Sequence, residues 1–397
     1  MNYKTVYVLL ALLVAASQAV GANTIVKIHE IPGYENFVPV DFTIIPNAVD
    51  ANLVERVDVL GNQNGTPTLV SIDPFAADPI VNVVNFSPLM TGGSVLATDL
   101  SQNGQYVAGV GQSATSDPAG IGEATVWSLA DPTSPAGLGY GVSSPLNSSV
   151  AFGVANNGTA VGGSACSAIR WSGGSSEELT TLAGLTMMGT AFSISADGNR
   201  SVGSSTNAAF MVLATMWDNE GNPFALEDPY GWASNAYGIS NAGNFITGYI
   251  DTGGVLFGMS LWDGDGNLLS FVPNDIDGNP VATIGFDVSD NGVVVGGTPG
   301  LVGPDSVGYI YMPGWTGVRT IDDWVLEVYG ETIHSLRGLA VQSFGGYDYV
   351  LSQGSAYLFI AESSDVPPEA VPGPSGAVLV LFGVAELARR RARLARR

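Results

Sequence analysis

One thirteen-residue pattern recurs along this chain and restricts its fold more than any other feature. Residues 151–163 read AFGVANNGTAVGG, residues 191–203 read AFSISADGNRSVG, and residues 236–248 read AYGISNAGNFITG. Each copy alternates apolar and small residues, passes through a turn with glycine and then resumes an apolar run. Alternation with a period of two on both sides of a turn predicts a β-hairpin.

Five copies align on the turn glycine, and the positions around it have preferred residue types. The fourth residue before it is always apolar, the third before it is always small, and the fifth after it is always glycine. Asparagine or aspartate precedes the turn glycine in four copies, but Ala242 stands there in one, and alanine resists positive φ. A type I turn that closes on a left-handed glycine, with a bulge, fits all five. The turn glycines are Gly104, Gly158, Gly198, Gly243 and Gly292.

Aromatic residues occur at two places in each unit. One stands six residues before the turn glycine in four copies, and another closes a further short strand after the hairpin. We expect both sets to pack between neighbouring sheets, as Phe192, Ile194 and Trp217 would, rather than to form a platform for a ligand. The first set is Phe152, Phe192, Tyr237 and Phe286; the second is Trp127, Trp171, Trp217, Trp262, Tyr311 and Phe359.

Repeats of this length, with four short strands each, predict an all-β fold. The glycine five residues after each turn glycine is expected to let a neighbouring backbone come close. Units 40 to 54 residues apart indicate a β-propeller of six or seven four-stranded blades, and a linear β-solenoid is the alternative. A propeller closes best when a strand from one end of the chain completes the last blade, and FVPVDFTII (37–45) is the expected closing strand.

The first 22 residues have the pattern of a secretory signal peptide. Lys4 is followed by an apolar run and then by small residues, which predicts a signal helix and cleavage after Ala22. An uncleaved membrane anchor is the alternative, although the run is short for a span of about 20 apolar residues.

The last 27 residues have the pattern of a second targeting signal. A turn with Val371, Pro372, Pro374 and Ser375 precedes an apolar run, which predicts a short membrane-insertion helix, and arginines including Arg389, Arg390 and Arg391 end the chain. This order resembles the PEP-CTERM sorting signal, which implies recognition and removal by an exosortase. Gly373 replaces the usual glutamate, and Glu386 interrupts the apolar run. A plain C-terminal anchor is the alternative.

The repeat units resemble the extracellular HAF repeat. TMWD (215–218), SLWD (260–263) and AYGISNAGNFITG (236–248) carry the resemblance, which covers residues 95–312 clearly. HAF repeats often accompany PEP-CTERM tails, so the two resemblances imply a surface or secreted protein. The HAF family brings no catalytic residues to this chain.

Charge and composition narrow the range of partners. The chain has 36 acidic and 13 basic residues, and six of the basic ones lie in the last nine positions. So acidic a repeat region repels nucleic acid and attracts cations. Cys166 is the one cysteine, which excludes an internal disulfide, and we expect it to be buried beside a turn.

Few residues have catalytic potential. Histidine occurs only at His29 and His334, which disfavours a histidine-dependent triad or a zinc site. The stretch DGDGN offers Asp263, Asp265 and Asn267 as a weak candidate for calcium, but a solvated turn fits it better because a calcium loop needs further ligands. No other cofactor is indicated.

These patterns divide the chain into a signal peptide (1–22), a repeat domain (23–362), a linker (363–370) and a sorting tail (371–397). They predict an exported, non-catalytic repeat protein at the cell surface or in the matrix, associated with exopolysaccharide. Its expected partners are signal peptidase, the exosortase and an envelope polymer, with membrane contact only through the terminal segments. A binding module for glycan or calcium and a polysaccharide-active propeller enzyme are the alternatives.

Overall fold

The protein folds into a ring of seven four-stranded antiparallel sheets. A computed structural model describes residues 24–362, except 49, 51–52, 77–78, 117–121, 142–146, 254–256, 301–304 and 355–356. Each sheet packs against the next, and the seventh packs against the first through its two innermost strands. The predicted all-β propeller is therefore confirmed, with seven blades. The predicted signal peptide, linker and sorting tail lie outside the described residues.

The two inner strands of each blade form the hairpin that the repeat predicts. The innermost strands are β2 (Phe37–Pro46), β6 (Val95–Leu100), β10 (Ser149–Val154), β14 (Gly189–Ile194), β18 (Ser234–Ile239), β22 (Ile284–Val288) and β26 (Arg337–Phe344). Their hairpin partners are β3 (Val54–Gln63), β7 (Tyr106–Gly111), β11 (Ala160–Ser164), β15 (Ser201–Thr206), β19 (Phe245–Asp251), β23 (Val294–Gly297) and β27 (Tyr347–Gln353).

The outer half of each blade contains the predicted aromatic strand and a short edge strand. The third strands are β4 (Thr66–Ile72), β8 (Glu123–Ser128), β12 (Ser167–Ser172), β16 (Val212–Trp217), β20 (Phe257–Asp263), β24 (Gly308–Tyr311) and β28 (Tyr357–Glu362). The edge strands are β5 (Ile80–Asn85), β9 (Asp131–Gly137), β13 (Ser175–Glu178), β17 (Pro223–Ala225), β21 (Leu268–Val272), β25 (Arg319–Thr320) and β1 (Thr24–Lys27). Blades 1 to 6 begin at β2, β6, β10, β14, β18 and β22, and blade 7 joins β26, β27, β28 and β1.

The ring is closed by a different strand from the one that the sequence suggested. Strand β1 pairs with β28 from the C-terminal side of the chain, with Thr24 opposite Ile360 and Lys27 opposite Tyr357. The expected closing segment, 37–45, lies instead in β2, the innermost strand of blade 1. It pairs along its whole length with β3, so it belongs to the hairpin of blade 1 and not to blade 7.

The five hairpin turns have the geometry that the repeat predicts. All five turn glycines have left-handed φ values between 64° and 80°, and each donates its N–H to the carbonyl three residues earlier, as Gly198 does to Ser195 at 2.9 Å. In four copies the small residue at that position is serine. Its hydroxyl accepts backbone N–H groups beyond the turn, as Ser195 Oγ does from Arg200 at 3.1 Å.

A β-bulge interrupts every innermost strand at the position that is aromatic in four copies. In blade 4 the register shifts between Ala191 and Ser193, so Phe192 is the extra residue. The residues at this position are Val40, Thr98, Phe152, Phe192, Tyr237, Phe286 and Leu339. The bulge turns Phe192 away from the interface between the sheets, so the expectation that it packs there with Ile194 and Trp217 is wrong.

The glycine that follows each turn faces the bulge of the same blade. A Cβ on Gly203 would lie 2.0 Å from the carbonyl oxygen of Thr190, and one on Gly248 would lie 1.9 Å from that of Asn235. In blade 3 the close approach occurs at Gly162, and Gly163 has ordinary space. In blade 6 it likewise occurs at Gly296, 1.9 Å from the carbonyl oxygen of Ile284, rather than at Gly297, so the expected glycine position is one residue off in blades 3 and 6. The approaching backbone belongs to the partner strand rather than to a neighbouring blade.

Aromatic residues on the third strands fill the interfaces between blades. Trp127, Trp217 and Trp262 are fully buried, and Trp171 is nearly so. Trp217 packs in a cluster that joins blade 3 to blade 4 and includes Leu179 and Ile194. Its indole N–H donates to the carbonyl oxygen of Thr180 in the connection between those blades, at 2.6 Å. These tryptophans are core residues, as the sequence predicts.

Two further features were not predicted correctly. Helix α1 (Ile321–Tyr329) follows blade 6, begins with the side chain of Thr320 as its N-cap and buries Trp324 against blade 7. Cys166 lies exposed in the turn between β11 and β12, so the expectation of a buried cysteine is wrong. Neither feature is part of the recurring thirteen-residue pattern, on which the sequence-based predictions of the fold relied.

Candidate functional site

The seven bulges surround a central channel. All seven bulge residues line one cavity of about 170 Å³ on the axis of the ring. The residue after each bulge also lies in this region, and in three blades it is aspartate. Because every blade contributes equivalent backbone, differences between the blades at these two positions set the chemistry of the channel.

Four consecutive blades contribute an arc of aromatic rings to the channel wall. The ring centres of Phe152 and Phe192 are 5.6 Å apart, those of Phe192 and Tyr237 are 5.0 Å apart, and those of Tyr237 and Phe286 are 5.9 Å apart. All four residues are partly buried. The remaining bulge residues, Val40, Thr98 and Leu339, are not aromatic, so one side of the channel is aromatic and the other is not.

Three carboxyl groups lie next to the bulges of blades 1, 2 and 6. Asp41 Oδ2 accepts the N–H of Leu100 at 3.0 Å, and Asp99 Oδ2 accepts the N–H of Val154 at 2.6 Å. Asp287 Oδ2 accepts the N–H of Val341 at 2.8 Å. Each bond runs to the innermost strand of the next blade, so these carboxyls join neighbouring blades as well as lining the channel.

Burial raises the pKa of all three carboxyls because the channel wall disfavours the charged form. It raises the pKa of Asp41 to about 6, against the opposing effect of the N–H groups of Leu100 and Phe42. It raises the pKa of Asp287 to about 8. The pKa of Asp99 is also raised, by burial first and then by the neighbouring charge of Asp41. The channel therefore holds acidic groups that are partly protonated at neutral pH.

The hairpin turns form a polar mouth at one end of the channel. The N–H of Asn156 donates to the carbonyl oxygen of Ala196 at 2.9 Å, and the N–H of Ala196 donates to that of Asn241 at 3.0 Å. The N–H of Asn103 donates to Asn156 Oδ1 at 2.8 Å. Gln102, Asn241 and Gln342 line both the channel and a depression on this turn face, so the channel opens there.

The weak calcium candidate forms a self-contained turn. Asp263 Oδ1 accepts the N–H groups of Asp265 and Asn267, at 3.0 and 2.9 Å, and Asn267 donates its amide group to the same carboxylate. The stretch DIDGN at 275–279 repeats this geometry with Asp275 and Asn279. Across the described residues, no three acidic, histidine or cysteine side chains converge at a spacing that would hold a metal ion.

Two of the channel carboxyls, Asp41 and Asp99, interact directly with each other. Glycosidases instead hold their two catalytic carboxyls about 5 to 9.5 Å apart. Neither histidine lies in the channel wall; His29 packs edge-on against Tyr357 in blade 7.

An apolar surface lies on the face opposite the turns. Met188 and Phe210 are exposed there and have left-handed φ values of 73° and 60°. Trp232 is 59% exposed and is the one tryptophan of the seven that is not buried. A ring of exposed tryptophans around the channel mouth, which would favour a glycan-binding module, is therefore not present among these residues.

Sequence reasoning missed Asp41, Asp99 and Asp287 and misplaced the four aromatic residues. The sequence does show where the carboxyls of two blades lie. Five residues before the turn glycine, two copies of the repeat have Asp99 and Asp287, and the other three have Gly153, Ser193 and Gly238. Asp41 lies in blade 1, which has no turn glycine to align.

The sequence matches no protein-family model and no curated protein. Similar solved structures include a chain of a mitotic checkpoint complex, with a TM-score of 0.50 and 11% identity over 87% of this chain and 95% of that one. The WD40 β-propeller domain of Doa1 has a TM-score of 0.46 and 13% identity over 83% and 94%. The computationally designed Ika8 protein has a TM-score of 0.43 and 14% identity over 82% and 96%. At these identities the similarity concerns the propeller fold alone.

Proposed function

We propose that this protein is an exported, non-catalytic binding module that resides at the cell surface or in the extracellular matrix. Its propeller domain would be released from a signal peptide and sorted outward through the C-terminal tail, and would there associate with an envelope polymer such as exopolysaccharide. Signal peptidase and an exosortase-type protease are its proposed processing partners.

The positions of the first and last strands of the propeller carry this proposal. Thr24 lies opposite Ile360 at the end of blade 7 where the turns lie, so β1 begins and β28 ends side by side on the turn face. Cleavage after Ala22 would leave one residue before β1 and would keep the ring closed, whereas a cut after Lys27 would remove the closing strand. Both terminal signal segments can therefore be removed without loss of any strand that the structure describes.

The absence of catalytic function is proposed from the chemistry of the channel. Asp41, Asp99 and Asp287 each accept a backbone N–H of the next blade, and Asp41 and Asp99 also interact with each other, so all three carboxyls are engaged in bonds within the ring. Among the described residues, no helix has the length and apolar character to cross a bilayer.

Intact mass and location of the native protein test the proposal. We expect the protein in the extracellular or surface fraction, with its N-terminus at Asn23 and without the last ~25 residues, as removal of both address segments requires. A variant with Pro372 and Pro374 both replaced by alanine should accumulate in the membrane fraction with its tail, while replacing Pro313 should leave sorting unchanged. Full-length protein in the cytoplasm would rule the proposal out.

A further inference from the structure

We propose that the turn face carries a trough that binds a linear chain of neutral sugars through their hydroxyl groups. This inference rests on the proposed association with an envelope polymer, and it names the site and the class of polymer, which is uncharged rather than anionic. It is carried by three joined depressions, by amide groups without a partner and by a comparison of the blades with one another.

Three depressions on the turn face join into one trough. The first, of about 340 Å³, lies between the ends of blades 1 and 7 and the turns of blades 2, 3 and 5. The second, of about 400 Å³, shares Asn156 and Asn241 with the first, and the third, of about 440 Å³, shares Asp197 and Ala242 with the second. Each has the volume of a small-ligand site. Joined in a row, they accommodate an extended chain.

Blades 1 and 7 build a wall at one end of the trough. Their innermost strands have ten and eight residues, whereas those of the other blades have five or six. The extra residues follow the bulge, so they continue past the level at which the other blades turn, and residues 44–46 and 342–344 line the first depression. Ile45, Pro46 and Phe344 give this wall an apolar surface on which the C–H groups of a sugar ring can pack.

The floor of the trough presents amide groups with unused hydrogen-bonding capacity. The side-chain amides of Gln102 and Asn241 and the Nδ2 of Asn156 have no hydrogen-bond partner among the described residues. All three side chains belong to half-buried residues. An amide group both donates and accepts, and so does a hydroxyl group. These amides are therefore suited to sugar hydroxyls, and every residue that lines the first depression is uncharged.

The blades do not need these amides to form their turns. Blade 4 has Ala196 at the repeat position where blades 2, 3 and 5 have Gln102, Asn156 and Asn241. Its turn closes in the same way, because its turn glycine donates its N–H over 2.9 Å and theirs do so over 2.8 to 3.0 Å. Folding of the turns therefore does not explain the three amides, and we assign them to ligand binding.

The charge of the protein selects an uncharged polymer. The formal net charge is −23, and a surface of that sign repels anionic polymers and nucleic acid. Charged residues line the trough only toward its far end, where Asp197 and Asp218 accept hydrogen bonds within their own turns. Arg200, beside them, donates to two backbone carbonyl oxygens. A polymer of neutral hexoses, without uronate or sulfate groups, fits these surroundings.

The same face is unsuited to an extended peptide. Peptides that bind in extended form add a strand to a free sheet edge. The floor offers no such edge, because the N–H groups of Asn156 and Ala196 already donate to neighbouring turns. Side-chain amides, rather than backbone groups, are what the floor presents to a ligand.

Ligand-observed NMR titrations of the full-length protein test the proposal with cellohexaose, laminarihexaose, maltohexaose and mannohexaose. We expect at least one of these neutral hexasaccharides to bind, and to bind more tightly than its disaccharide by at least about tenfold, since a longer chain fills more of the trough. Hexagalacturonate and the peptide (Gly-Ser)₃ should not compete with it. Failure of all four sugars to bind would overturn the proposal, as would equal affinity for the acidic sugar or for the peptide.

This titration separates the proposal from export. Purified protein that binds none of the neutral sugars would leave export and sorting intact, whereas protein located in the cytoplasm would overturn export without affecting the titration. Binding of hexagalacturonate alone would keep the association with an envelope polymer and overturn the selection of an uncharged one.

Variants then locate the site. Asn241→Ala and Gln102→Ala each remove an unpartnered amide, and Ala196 shows that the turn tolerates alanine there. We expect each variant to weaken binding of the best hexasaccharide about tenfold, since one amide can make two hydrogen bonds to hydroxyls. Asn82→Ala removes an exposed amide from edge strand β5, away from the turn face, and should bind as the unchanged protein does. If the first two variants melt normally and retain full affinity, the sugar binds elsewhere and the proposal is wrong.

Discussion

At the scale of single residues, the bulge and the glycine opposite it depend on each other. The extra residue of the innermost strand pushes a carbonyl oxygen toward the partner strand. Six of the seven blades have glycine at the facing position, and blade 7 has Ser352. In blade 4 that oxygen belongs to Thr190 and that glycine is Gly203. The bulge turns the extra residue toward the channel. The same local structure that the blade needs for folding therefore places this side chain in the candidate site.

Gly203→Ala should therefore be severely destabilising. Its Cβ would lie 2.0 Å from the Thr190 oxygen, and we expect a loss of at least about 3 kcal/mol in the free energy of unfolding, since the backbone must move. Gly163→Ala occupies the same repeat position in blade 3 but meets no atom closer than 3.6 Å, and should cost less than about 1 kcal/mol. Urea unfolding of both variants measures the difference, and equal losses would contradict the account.

The channel carboxyls should make the protein more stable in mild acid than at alkaline pH. The folded pKa of Asp287 is about 8, above the value of about 3.9 for an unfolded aspartate. The folded state therefore binds more protons between these values, and stability falls as pH rises from about 4 to 8. Asp41, with a pKa of about 6, adds to the same slope over a narrower range.

Melting temperature measured from pH 4.5 to 8.5 checks this trend, and Asp287→Asn provides the control. Asparagine keeps an acceptor for the Val341 N–H and cannot ionise, so the variant should lose less stability over this range. Over this range the unchanged protein should lose on the order of 5 kcal/mol more free energy of unfolding than the variant, because the pKa of Asp287 rises to about 8 on folding, a shift of roughly 4 units at about 1.4 kcal/mol each. A melting temperature that rises with pH in both proteins would refute this reading of the channel.

At the scale of strands and blades, the buried indole groups do more than fill space. Trp217 donates its N–H to Thr180 in the connection that precedes its blade, and Trp127 and Trp262 make equivalent bonds to Ser87 and Glu227. Each bond ties a third strand to the chain segment that enters the blade. Trp171 is buried at the same repeat position, but its N–H has no partner among the described atoms.

This contrast provides a matched test of the hydrogen bond. Trp217→Phe and Trp171→Phe remove a similar volume from equivalent interfaces, but only the first leaves a buried carbonyl oxygen without its donor. We expect Trp217→Phe to be more destabilising by about 1–3 kcal/mol, the usual penalty for an unsatisfied buried group. Thermal or urea unfolding measures it, and a larger loss for Trp171→Phe would show that packing alone sets the cost.

The sequence predicted the repeated elements well because their signals are local. The turn glycines and the aromatic third strands follow from φ preferences and from alternation, which short segments report. The direction of Phe192 was wrong because one inserted residue reverses the alternation, and only the facing Gly203 records that insertion in the sequence. The four-residue strand β1 was missed because its pairing with β28 depends on residues more than 300 positions away.

At the scale of the whole molecule, closure of the ring unites these features. The channel, with its aromatic arc and its carboxyls, exists only if blade 7 meets blade 1, and blade 7 is complete only when β1 supplies its fourth strand. Val26 and Ile28 then pack in the cluster that joins these two blades. The same strand lies immediately after the proposed cleavage site, so export processing and ring closure act on adjacent residues.

Backbone hydrogen exchange of the mature protein, followed at Thr24–Lys27, tests this closure most directly. If β1 completes blade 7, its inward-bonded amides should be protected to the same degree as those of the other edge strands that pair along their length, such as β21. Exchange at the rate of an unstructured peptide, in a protein whose β26 and β27 remain protected, would show that the ring is not closed by this strand.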